Sequence, residues 1–140
     1  MALNPDLFKG KSLDEVFTGD TRVSPFPSPG RRKDLKDYDE QAVGDAIRGG
    51  VTSPVDPATL HSNQPMITRA GVEHYHSGRE GVFADGHQLA NDHPVVYHRE
   101  TEQGTTSILL SGTHRATAAL MKGEPLNVIQ VRGGYGGPRR

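Results

Sequence analysis

Apolar positions are spread unevenly along the chain, and their spacing changes character from one region to the next. Near the N-terminus they are sparse. Lys11 to Phe17 (KSLDEVF) places Ser12 three residues before Glu15, a capping-box pattern that predicts one short helical turn with Leu13, Val16 and Phe17 on a face. Ser24 to Gly30 (SPFPSPG) has proline at every second position, which imposes a polyproline-type path, and Arg31, Arg32 and Lys33 follow it. Such a stretch builds no core of its own. Residues 1–36 are therefore expected to form an extended or flexible N-terminal arm, docked on a partner or on the domain if its apolar residues are used.

Helical periodicity begins at Asp37. From there to Arg48, Tyr38, Ala42, Val43, Ala46 and Ile47 recur at helical spacing, and Gly49-Gly50 supplies an end. Pro54 and Pro57 force residues 51–57 to be extended, and Asp56-Pro57 predicts a capped turn. Residues 67–76 (ITRAGVEHYH) read as a helix with Ile67, Ala70, Val72 and Tyr75 inward, weakened by Gly71. Residues 78–93 are polar and glycine-rich, the pattern of a loop. Beyond them the chain reads as a hairpin of residues 94–98 and 105–110, a turn over 111–115, an alanine-rich helix ending at Gly123, and an alternating strand over 126–131. These elements fall within residues 37–132, and a flexible basic tail is expected over 133–140.

Composition narrows the chemistry. The chain has 140 residues, 33% of them hydrophobic, which suits one small domain whose core draws on the apolar stretches after residue 93. No cysteine is present, so disulfides, thiolate zinc sites and thiol nucleophiles are excluded. A net charge of -1 excludes a strongly basic nucleic-acid binder, and any anion site must be local. No apolar run is long enough to span a membrane, and the first residues lack the pattern of a signal peptide, so no membrane partner is expected.

The stretch with the most chemical content is Ser111-Gly112-Thr113-His114-Arg115 between a strand and a helix. Gly112 lets the backbone approach a ligand, and the following helix start offers unpaired amides to an anion. Thr113, His114 and Arg115 could converge on a phosphate there, with Arg115 making a forked contact. The plainer alternative is that Ser111 or Thr113 merely caps the helix.

Taken together, Gln64, the helix ending at Tyr75, Pro94-Val95-Val96, the run from Ile108 through Ala119, and Gly123 to Val128 resemble the ParB/sulfiredoxin superfamily over about half the chain. The resemblance implies a small α+β domain over 37–132, built on a mixed sheet, whose strand-GxHR turn-helix unit cradles the phosphates of a nucleotide. Ser111, Gly112, Thr113, His114 and Arg115 would form that site, and a nucleotide with Mg²⁺ would be the cofactor. Sulfiredoxins carry a cysteine where Thr113 stands, so their sulfinate chemistry is excluded. Chromosome-partitioning members carry a Glu-Arg pair in place of Thr113-His114, and continue into a helix-turn-helix domain. The free serine kinases, with a D-G-H-H-R turn, are closer, although a kinase needs a carboxylate base, for which Glu73, Asp85 and Asp92 are the candidates.

Stand-alone domains of this kind, often labelled ParB-like nucleases, are frequent in bacteriophages and mobile elements. The resemblance therefore implies a ParB-like nuclease or nucleotide hydrolase, in the host cytoplasm or associated with the virion. His114 would be acid or base and Arg115 would stabilise charge. The rival reading is a non-catalytic virion or adaptor protein that uses its arm and tail to contact other phage proteins.

All seven histidines lie between His61 and His114, which raises a third reading, a histidine-based metal protein. His74, His76, His87, His93 and His98 with Asp85 or Asp92 are its candidates. On a helix His74 and His76 diverge by about 200°, so no metal site is assigned. His98 and His114, at element ends, are better placed for phosphate or acid-base work. Arg132, Tyr135, Arg139 and Arg140 suggest contact with nucleic acid or an acidic surface, against the plainer reading of a solvated terminus.

Overall fold

The computed structural model describes residues 5–29, 40–78, 93–101 and 104–135. After a 3₁₀ turn at Pro5–Phe8 come α1 (Leu13–Val16), β1 (Thr21–Val23), α2 (Glu40–Gly49) and β2 (Ser53–Val55). A second 3₁₀ turn at Pro57–Thr59 leads to β3 (His61–Ser62), β4 (Met66–Thr68) and α3 (Arg69–His76). The chain closes with β5 (Val95–Thr101), β6 (Gly104–Ser111), α4 (Thr113–Lys122) and β7 (Leu126–Tyr135).

Five strands form a mixed sheet in the order β2-β7-β5-β6-β3, while β1 and β4 pair antiparallel as a separate ribbon. The expected α+β class with a mixed sheet is present. The hairpin of β5 and β6 is antiparallel, β7 runs parallel to β5, and β3 runs parallel to β6. Alternation divides the side chains between the two faces. Val96, Leu109 and Val128 meet α3 and α4 on one side, whereas Val95, Tyr97, Ile129 and Val131 meet Ala42, Val43, Ala46 and Ile47 of α2 on the other. The layers are therefore helices, sheet, helix.

The N-terminal segment belongs to this core. Phe8, Val16, Phe17 and Phe26 are buried in the same cluster as Leu120 and Val128, so as far as Pro29 the arm is docked on the domain. Its four widely spaced apolar residues reach the α3–α4 side from separate turns. Ser12 and Glu15 do form the capping box. Arg22 donates to the Val16 carbonyl at 2.7 Å and lies over the Phe8 ring, while Arg69 of α3 pairs with Asp14 at 2.6 Å. The proline-rich stretch runs past β3: the Pro27 carbonyl accepts from Ser62 N–H at 3.0 Å and the Pro65 carbonyl from Ser24 N–H at 2.9 Å. Proline suits that place, because an edge neighbour without N–H groups offers no further donors to a foreign strand.

Other elements differ in their limits. The helix expected from Ile67 starts only at Arg69, because Thr68 accepts from Gly71 N–H as an N-cap and leaves Ile67 buried in β4. The strand expected to stop at Val131 continues to Tyr135, whose backbone is in register with Glu100, so the tail begins later than residue 133. Most of the expected loop over 78–93, with Asp85, His87 and Asp92, and Arg139-Arg140 lie outside the described residues. No helix among the described residues is long and apolar enough to cross a membrane.

Candidate phosphate site at the start of α4

Helix α4 begins abruptly because Gly112 adopts φ +97°, a left-handed conformation that turns β6 directly into the helix. A second constraint acts at the same residue. A Cβ there would sit 2.6 Å from Pro94 Cβ and 3.0 Å from its Cα, so Gly112 is held by packing as well as by backbone angle. No side chain caps the helix, and Ala116 N–H donates to the Gly112 carbonyl at 2.8 Å. The amide end of the helix therefore faces the carboxyl ends of β6 and β3, where open sheets commonly hold ligands.

A cavity of about 340 Å³ lies there, lined by Ser62, Asn63, Gln64, Arg99 and Thr113 with apolar walls from Tyr97, Ile108, Leu109 and Leu110. Ser62 and Thr113, 4% and 3% exposed, share a hydrogen bond of 2.9 Å between their hydroxyls. Gln64 N–H donates to the Ser62 hydroxyl at 3.1 Å, and the Gln64 amide group donates to the Met66 carbonyl at 3.0 Å. These bonds fix the loop after β3 against the start of α4. Arg99, only 8% exposed, donates to the Pro29 carbonyl at 3.3 Å, which ties the docked arm to the cavity wall. Burial holds the His61 imidazole below its ordinary pKa; a backbone group of Ser107 opposes this and the Arg99 charge reinforces it.

The five residues expected at the turn separate. Thr113 lines the cavity, whereas His114 and Arg115 turn toward α3 as the helix rotates by about 100° per residue. His114 Nε2 accepts from Thr68 N–H at 3.1 Å, so its ring proton is on Nδ1, and its ring fills the space beside Gly71, where a Cβ would come within 2.6 Å. Arg115 stacks over the Tyr75 ring at 4.6 Å. Lys122 Nζ reaches the Tyr75 carbonyl at 3.5 Å, so α3 and α4 run side by side in the same direction and their amide ends lie together.

His98 is engaged elsewhere. Its Nε2 donates to Gln130 Oε1 at 2.6 Å and its Nδ1 accepts from the Ser107 hydroxyl at 2.8 Å, while Gln130 donates to Ser53 at 2.5 Å. This polar chain crosses four strands and satisfies a buried imidazole inside the sheet. Glu73 is exposed on α3, and His74 packs edge-on against Tyr75. Among the described residues no group of three or more histidine, aspartate or glutamate side chains could hold a metal ion.

Sequence reading missed Ser62, Asn63 and Arg99. The signal for Arg99 was present, since the period-two pattern of Val95, Tyr97 and Arg99 places a cation on a buried face. Compared with known proteins, the chain matches no family model, no curated protein and no solved structure.

Proposed function

We propose that this protein binds a phosphate-bearing ligand, a nucleotide or a nucleic-acid phosphate, in the cavity where α4 meets β3 and β6. The observation that carries the reading is the lining: two hydroxyls, two carboxamides and a buried guanidinium surround one cleft of ligand size, and one of those hydroxyls belongs to Thr113, the first residue of α4. The ParB/sulfiredoxin-like unit belongs to the same proposal, supported by the turn's sequence and by Gly112 at the start of the helix, and a phage or mobile-element setting is proposed with it on the resemblance alone.

Binding is favoured over catalysis. No carboxylate or imidazole belongs to the described lining, and His114 would have to leave Thr68 to act as acid or base. Binding is also favoured over an adaptor role for the arm, whose aromatic residues are spent on the chain's own core. Calorimetric titration of the full chain with mononucleotides and short single-stranded DNA, with and without Mg²⁺, tests the reading. Binding that weakens about tenfold in Thr113→Val and Asn63→Ala supports it; no heat with any phosphate compound at millimolar concentration overturns it.

A further inference from the structure

We propose that Gln64, Ser62 and Thr113 form a one-way chain of hydrogen bonds whose last proton, on the Thr113 hydroxyl, goes to an acceptor oxygen of the ligand; this rests on the reading that the cavity takes a phosphate-bearing ligand. The protons do not balance within the pair of hydroxyls. Ser62 and Thr113 hold one hydroxyl proton each, and the 2.9 Å bond that joins their oxygens uses only one of them. Gln64 N–H donates to Ser62 Oγ at 3.1 Å, a bond that consumes no hydroxyl proton. Among the described residues no further group bonds either hydroxyl, so one proton is left over. Both residues line the cavity and are only 4% and 3% exposed, which leaves the cavity as the outlet for that proton. A buried donor without an acceptor is costly, and a ligand oxygen placed beside it removes the cost.

The direction of the chain follows from the two oxygens. If Thr113 donated to Ser62, the Ser62 oxygen would take two donors and the buried Thr113 oxygen none. With Ser62 donating to Thr113, each oxygen accepts one bond, and the donors of Gln64, Ser62 and Thr113 all point the same way. Bonds aligned in that sense strengthen one another. The start of the chain is held firmly, because Ser62 N–H donates to the Pro27 carbonyl at 3.0 Å and Ser62 is in register with Leu109 of β6. Its end is held by α4, of which Thr113 is the first residue. Ser62 is thus a positioning residue, and Thr113 is the donor that touches the ligand. A donor at this point selects an oxygen that can accept, phosphoryl or ring carbonyl, and rejects an ammonium or amide N–H in its place.

Calorimetric titration of the full chain with the four common ribonucleoside monophosphates, their nucleosides and inorganic phosphate tests the chain of bonds. For the tightest monophosphate, Thr113→Val should weaken binding about tenfold, Thr113→Ser should keep it within about twofold of wild type, and Ser62→Ala should weaken it about threefold. Added to Thr113→Val, Ser62→Ala should cost nothing more, because it acts only through the Thr113 hydroxyl. Circular dichroism checks that each variant is folded, and Thr113→Ala replaces Thr113→Val if the valine prevents folding. A parallel loss for inorganic phosphate identifies the accepting oxygen as phosphoryl, and a parallel loss for the nucleoside identifies it as a ring carbonyl; either supports the proposal. Further loss in the double variant, or wild-type affinity in Thr113→Val, overturns this inference and leaves the phosphate reading standing. Failure of every phosphate compound to bind overturns both.

Discussion

The two ends of α4 solve the same backbone problem in different surroundings. Each is bounded by a glycine in the left-handed region, Gly112 at φ +97° and Gly123 at φ +68°. At the C-terminal end the cap is self-contained: Gly123 N–H reaches the carbonyls of Ala119 and Leu120, Glu124 N–H reaches Ala119, and a Cβ on Gly123 would meet nothing within 4 Å. At the N-terminal end no side-chain cap closes the helix and a Cβ would collide with Pro94. Cavities adjoin both ends, but the C-terminal one is lined by Pro54, Val55, Pro57, Leu120 and Pro125 with Lys9, Asp56 and Glu124, whereas the N-terminal one gathers neutral hydrogen-bonding groups and one buried cation. A glycine that only ends a helix can thus be told from one that also brings backbone close to a neighbour. The second kind marks the candidate site.

Alanine at the two glycines gives the sharpest contrast. Gly112→Ala should cost about 3 kcal/mol, the sum of left-handed strain and overpacking against Pro94, measured as a shift of the urea midpoint at constant slope. Gly123→Ala should cost about 1 kcal/mol, since only the backbone term remains. Equal losses would show that Pro94 yields to the added methyl, and the distinction between the ends would collapse. Between these two falls Thr113→Val, which keeps the volume but removes the hydroxyl partner of Ser62. It should cost about 1.5 kcal/mol and weaken phosphate binding, while a change at the C-terminal end such as Glu124→Gln should leave binding untouched. Loss of binding in Glu124→Gln would move the site to the other cavity.

Much of the fold was legible because local rules and tertiary packing agree. The capping box at Ser12 and Glu15, the proline-capped turn after Asp56, the β5–β6 hairpin and the glycine end of α4 all follow from residue types at fixed offsets. What escaped depends on distant partners. The burial of Phe8, Phe17 and Phe26 depends on the α3–α4 side that receives them, and the two residues of β3 form a strand only because β6 lies beside them. The turn 111–115 was legible as a turn, but not in its division of labour. Thr113 meeting Ser62, and His114 meeting Thr68, are contacts across 51 and 46 residues of sequence, which no local spacing encodes.

The smallest expected effect concerns His61, beside Arg99 at the N-terminal end. Its pKa in the folded chain is lowered, chiefly by burial, so the neutral ring is the form that the fold accepts. As pH falls past the ordinary imidazole value of about 6.5, the unfolded chain takes up a proton before the folded chain does. Stability attributable to His61 is therefore complete above that value and declines as pH falls toward the lowered folded value, below which both states are charged and the loss levels off. Replacing the ring by a group that does not titrate removes this part of the slope. Urea unfolding of the wild type and of His61→Gln at a series of pH values from 7.5 to about 5 should give a shallower acid decline in the variant. A saturating phosphate ligand should also flatten the wild-type decline, because an anion near Arg99 offsets the charge that opposes protonation of His61. Parallel declines in wild type and variant would mean that His61 is solvated in the folded chain and that burial does not disfavour its charged form.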